Sequence, residues 1–147
     1  MRYSWQGPEF NKGVEVFLTN DLSYIFKINK IINHFMDLIN WSDFEKIDIR
    51  VGTIVEVNEF PKARKPAYKL VIDFGKEVGI KKSSAQITAL YSKEDLLNRQ
   101  IIAVVNFPAK QIADFTSECL VLGVYDDNKD VILLQPGKKV INGMKIG

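Results

Sequence analysis

Apolar residues recur along this chain with two different periods. Ile25, Ile28, Ile32, Phe35 and Ile39 fall at alternating steps of three and four, the spacing of one helical stripe, and Asp21 or Ser23 stands where an N-cap is needed. The spacing predicts a helix over 22–39. From Lys46 the period drops to two. Ile47, Ile49, Val51, Val55 and Val57 share one face and Lys46, Asp48, Arg50 and Glu56 the other, with Gly52 and Ile54 as exceptions. A long half-buried strand is expected there, and Gly52 in its middle suggests a bulge or a sharp coil.

After Pro61 and Pro66, Tyr68, Leu70, Ile72 and Phe74 alternate with Lys69, Val71 and Asp73, which predicts a second strand turned by Gly75. A short strand is expected over 79–84, and Ser92 with Asp95 three residues on fits the cap of a brief helix. Gln100 to Phe107 reads as a buried strand because its apolar residues are consecutive and β-branched, and Pro108 stops it. Cys119 to Tyr125 and Val131 to Gln135 flank Asp126 to Asp130 as a hairpin, and the glycine-punctuated tail has room for one more short strand. Five or six short strands in about 105 residues predict an all-β domain, a small closed or nearly closed barrel, with the OB-fold the first candidate.

The first 35 residues are set apart as an N-terminal extension, and 36–147 as the barrel domain. Met1 to Asn20 shows no sustained period. The helix after it reads either as packing on the barrel or on a second copy of the chain. Alternatively Met36 is a natural start, and Gly7-Pro8-Glu9-Phe10 resembles a cloning scar in non-native sequence.

Composition narrows the function classes. The chain has 147 residues, 46% apolar and 26% charged, which suits one core and no more. The longest apolar run, Ile101 to Val105, is too short to span a bilayer, and the N-terminus lacks the order of charge and apolarity of a secretory signal, so a cytoplasmic protein is expected. One cysteine, Cys119, and one histidine, His34, make no disulfide and no zinc cluster, and Asp126, Asn128 and Asp130 lack the closing glutamate of a calcium loop. No metal and no cofactor are expected. Without a histidine in the barrel portion, and with Ser83, Ser84 and Ser117 beside lysines in no known dyad pattern, no catalytic residue emerges and the chain does not read as an enzyme. Cys119 reads as a small buried hydrophobe and His34 as a solvated residue.

Net charge is only +2, but it is unevenly spread. Seven cations (Lys62, Arg64, Lys65, Lys69, Lys76, Lys81, Lys82) face two anions over 62–82, whereas five anions face two cations over 43–59. Cations interleaved with Tyr68 suit phosphates and stacked bases; equally, they suit a solvated strand face with Tyr68 in the core.

Five stretches resemble a known family. Glu45 to Val55, EKIDIRVGTIV, resembles the opening of the tRNA-binding domain found at the C-terminus of methionyl-tRNA synthetases and in free-standing tRNA-binding proteins. FPKARKPAYKLVIDFG from Phe60, GIKKSSAQI from Gly79 and VVNFPAKQIADFTSECLVLGV from Val104 are similar to the CsaA secretion-chaperone branch, as is the closing LLQPGKKVINGMKIG. Arg64 to Leu70, and Ala85-Gln86 where tRNA-binding relatives carry Ser-Gly, follow the chaperone branch.

The resemblance implies an OB-fold barrel with short helices, a homodimer, and two binding activities. One is for unfolded or presecretory polypeptides and, through them, the export machinery. The other is for tRNA. The alternative it leaves is primarily a tRNA or structured-RNA-binding module, free-standing or acting with an aminoacyl-tRNA synthetase. By motif match the RNA-facing residues are Lys81, Lys82, Ser83, Ser84, Asn106, Lys110, Ser117 and Glu118, joined by Lys69 on the second strand. The apolar candidates for polypeptide are Phe60, Phe107, Ile112 and Phe115.

Overall fold

Alternation of large apolar and polar residues builds the central strands of the computed structural model, which describes residues 38–147. In β1 (Ile49–Glu59) and β2 (Tyr68–Asp73), paired antiparallel, the buried side chains Ile54, Tyr68, Leu70 and Ile72 belong to one core. The helix expected over 22–39 lies outside the described residues apart from Leu38 and Ile39, which have no regular structure; His34 and Met36 lie outside as well. A separate short helix, α1 (Trp41–Glu45), follows. Asn40 caps it in an extended conformation through a reciprocal capping box with Asp43.

The expected faces of β1 are exchanged in its first half: Gly52 and Ile54, the two exceptions to the pattern, face the core, and Val51 is buried on the opposite face, where the tail runs. Ile54 points into the core at 0% exposure and Val55 out at 42%; the register then slips between Ile54 and Glu56, which brings Val57 back to the core beside Leu70. The bulge therefore falls at Val55, three residues beyond Gly52. Gly52 serves a different need: a Cβ there would lie 2.7 Å from both Ile72 and Phe74, so the strand coils tightly over them only without a side chain.

After β2, Gly75 takes φ +77°, a left-handed turn that glycine adopts without strain, and opens α2 (Gly75–Val78). Then come β3 (Ile80–Ala85), α3 (Lys93–Leu96) and β4 (Gln100–Val104). Ser92 and Asp95 form the expected capping box of α3. β4 ends three residues before the expected limit of Phe107. Val105 is still buried, whereas Phe107 has turned to solvent.

The remaining strands are short: β5 (Lys110–Ile112), β6 (Phe115–Ser117), β7 (Leu120–Val121), β8 (Gly123–Tyr125) and β9 (Val131–Leu133). The expected strand from Cys119 to Tyr125 is thus divided at Leu122, with β7 pairing to β4 and β8 to β9.

The main sheet runs β3-β2-β1-β4-β7. Its outer edges meet where the Glu118 amide donates to Lys82 O (2.8 Å) and the Ser83 hydroxyl donates to Cys119 O (3.0 Å). The result is a nearly closed five-stranded antiparallel barrel, the OB-fold. The tail completes one end: Gly143 N donates to Val51 O, Val51 N to Met144 O and Ile146 N to Ile49 O, alongside the part of β1 that β2 does not reach.

Phe74, Ile54, Leu70, Ile72, Leu96 and Ile101 are the largest side chains sealed inside. Cys119 joins them as expected, and burial pushes its thiol up to about 11. Alkylation of Cys119 at mildly alkaline pH is therefore expected to run about a hundredfold slower in the native chain than in denaturant; equal rates would show that the seam opens. Because the unfolded thiol ionises first, the linked stability is intact below the ordinary thiol range and is lost as pH climbs through that range toward about 11.

Candidate nucleic-acid interface

Strand alternation sorts the basic residues of β2 and β3. In the paired register Asn58, Lys69 and Ser84 form one row on the barrel's outside, and Glu56, Val71 and Lys82 form the next. Lys81 pairs with Ile72 on the core side, half-buried beside Cys119. Adjacent lysines on one strand cannot share a face, so Lys81 and Lys82 do not act on one surface. Ser83 pairs with Leu70, is buried, and has its hydroxyl committed to Cys119 O. Tyr68 is also core, its hydroxyl donating to Tyr91 O at 3.2 Å, and offers no stacking surface.

The loop over 60–67 carries Lys62, Arg64 and Lys65 at the same end of the barrel as Lys69 and Ser84. It is stapled to the β5–β6 hairpin. Phe60 and Phe115 pack with ring centroids 5.6 Å apart, and the Lys69 ammonium lies 4.6 Å from the Phe60 centroid. Asp114, in the hairpin turn, binds Lys62 at 2.9 Å and Lys69 at 3.4 Å; Lys62 first, then Lys69, holds its carboxyl below the usual range. Two of the seven cations are thereby neutralised. Arg64, Lys65 and Lys82 are exposed and carry no ion pair among the described residues.

The hairpin completes this surface. Lys110 pairs with Ser117 across it, and the Ser117 hydroxyl accepts from Ser84 N at 3.4 Å. Glu118 uses one carboxylate oxygen to accept from Lys82 N at 2.9 Å. An acceptor-only group there opposes phosphate and suits a base amine or a ribose hydroxyl. Asn106 is not brought to this cluster. Its amide bridges Asp48 N and Lys46 O, just before β1, whereas the basic loop follows the far end of that 11-residue strand.

Of the four apolar candidates, Phe60 is buried, and Phe115 and Ile112 are half-buried partners across the hairpin. Phe107 alone, 53% exposed, lines an open groove of about 560 Å³ with Pro108, Ala109 and Leu120, beside Lys110.

A cationic outer face on an OB-fold barrel finds its counterpart among known proteins. Residues 49–145 match the family described as "Putative tRNA binding domain". The chain belongs to the tRNA-binding domain family.

Within and around that family, the chain is similar to two solved structures of the chaperone CsaA. The one from Bacillus anthracis str. Ames is 52% identical (TM-score 0.71; 76% of this chain, 100% of that chain), and the one from Picrophilus torridus is 56% identical (TM-score 0.71; 75% and 100%). The methionine–tRNA ligase of Thermococcus onnurineus (strain NA1) is 37% identical over 111 residues. Those residues are 76% of this chain but 15% of that protein, so the chain corresponds to a small part of such an enzyme. Among the described residues, no helix is long and apolar enough to cross a membrane.

Relative to the site residues that the family motifs nominate, the structure adds Arg64, Lys65 and Leu120. The two loop cations belong to the basic stretch visible in the sequence. Only the contacts of Asp114, 45 and more residues downstream, show that they stay free while Lys62 and Lys69 do not. Leu120 was signalled by its alternation with Cys119, which puts one of the two residues outward.

Proposed function

We propose that this chain is a non-catalytic, CsaA-like cytoplasmic chaperone that holds unfolded or presecretory polypeptides for export and also binds tRNA. The observation that carries this reading is the juxtaposition, on one hairpin, of two unlike surfaces. The hairpin adjoins the cationic outer face of β2 and β3, and its own Lys110 and Ser117 also line the apolar groove around Phe107 and Leu120. Half identity over the full length of two chaperone structures supports the polypeptide role, and the family match supports the tRNA role.

The reading places Lys69, Lys82, Ser84, Lys110, Ser117 and Glu118 at the RNA, with Arg64 and Lys65. Lys81 contributes its charge from the seam, and Ser83 and Asn106 act by holding the barrel in shape. Phe107 receives apolar side chains of an extended client, with Phe60, Ile112 and Phe115 supporting the hairpin behind it. The chain acts as a homodimer. Val124 and Ile132, paired across β8 and β9, together with Leu134 give the exposed apolar strip that a second copy covers.

A second reading, a tRNA-binding module working free or beside an aminoacyl-tRNA synthetase, is favoured by the methionine–tRNA ligase relatives. Phe107→Ser separates the two. It is expected to weaken capture of a denatured precursor about tenfold while leaving tRNA affinity and the melting temperature unchanged, because the side chain is half in solvent already. Unaltered capture of precursor would favour the second reading.

A further inference from the structure

The geometry points to a further binding site: the cleft between the segment after β3 and the β8–β9 hairpin takes one unpaired nucleotide, its base against Tyr125 and its phosphate between Lys65 and Lys129. The inference rests on the reading of the chain as RNA-binding and adds a position at which a base is stacked on an aromatic ring. The cleft shares only Lys65 and Ser84 with the outer face described above.

Its volume is about 940 Å³, within the range of small-ligand sites. Tyr125 is 75% exposed and has no aromatic partner among the described residues, so its ring is a free platform in a domain whose other tyrosines at this end, Tyr68 and Tyr91, are tied up in the core. Tyr125 pairs with Val131, so it leans to the core side of the hairpin and over the cleft, away from the Val124 and Ile132 strip.

Two cations reach the cleft from separate loops, Lys65 from the basic loop and Lys129 from the hairpin turn. Neither carries an ion pair among the described residues. Lys129 occupies a position built for glycine. Its φ is +67°, and the turn around it is fixed by Asp126, whose carboxylate accepts from Asn128 N at 2.9 Å and Asp130 N at 2.8 Å. A side chain kept where the backbone disfavours one is a cost without structural return, and a cation facing a cleft supplies the return. Asp130 is the one carboxylate in the lining. It opposes phosphate but accepts from an exocyclic amine, which selects cytosine over uracil.

The test is equilibrium binding of a single-stranded cytidine hexanucleotide, with CMP, a uridine hexanucleotide and tRNA as parallel ligands. Tyr125→Ala is expected to weaken the cytidine strand about tenfold, and Lys129→Gly about fivefold, with a melting temperature equal to or above that of the wild type. A 5-iodocytidine strand is expected to photo-cross-link to Tyr125. CMP binding that falls in both variants would support the same site with free nucleotide as its source; strand binding without CMP binding would support RNA as the source. Wild-type affinity in both variants, or cross-links elsewhere, would overturn the cleft while leaving tRNA binding through Lys82 standing. Failure of the wild type to bind both tRNA and the hexanucleotide would overturn the RNA reading itself.

Discussion

Replacing Arg64, Lys65 and Lys82 together with alanine is expected to weaken tRNA binding about a hundredfold near physiological salt and to lower the slope of log affinity against log salt by about two to three. Each phosphate contact releases counterions, and these three are exposed, unpaired cations beside the outer face of β2 and β3. All three side chains project into solvent from a loop or from the outer row of β3, so the fold should survive; an unchanged melting curve is the control.

The structure also dictates what should happen to the other cations of the basic stretch. Lys62 and Lys69 are already held by Asp114, so alanine at either should weaken tRNA binding less than alanine at Lys82. A triple variant that bound tRNA as the wild type does would remove the outer face from the account.

Phe74→Ala is expected to lower stability by about 3–5 kcal/mol, a large part of the 5–15 kcal/mol typical of a domain. Phe74 is fully buried at the point where β2 turns into α2, and its ring lies against the bare backbone of Gly52. The converse change also harms the fold. Gly52→Ala places a methyl 2.7 Å from Phe74 and Ile72, and overpacking of this kind costs about 1–3 kcal/mol.

The two substitutions occupy the same space from opposite sides. The double variant should therefore be less destabilised than the sum of the singles, a coupling that chemical denaturation of the four proteins measures directly. Strict additivity would mean that Gly52 is present for some reason other than room for Phe74.

The barrel was legible because its strands obey period two over long stretches. Tyr68 to Phe74 alternates without exception, and the Ser92–Asp95 cap is a local device that needs no tertiary information. Misplacements arose where tertiary contacts override the alternation. Ile54 rather than Val55 faces the core, with the slip after it returning Val57 inward, and β4 stops at Val104 because its partner β1 begins at Ile49, leaving only Val105 N to bond Asp48 O. The helix expected before Asn40 falls outside the described residues.

The candidate site was half legible. A basic stretch is visible as composition, but its division into free and spent cations depends on Asp114, a residue far along the chain with no local mark. Lys81 and Lys82 looked equivalent as a pair, although one strand must send them to opposite faces. Phe60 and Phe115 looked like exposed apolar candidates; their contact with each other and with Lys69 makes them the staple between loop and hairpin. Leu120 and Tyr125 lie within an expected strand, and only the surface around them shows which side is open.

The measurement that bears most directly on the central claim is a binding isotherm of the wild-type chain with tRNA at low and at physiological salt. The account predicts tight binding at low salt and a steep fall as salt rises, with log affinity tracking log salt at a slope of about three or more. No binding at low salt, or an affinity indifferent to salt, would contradict it.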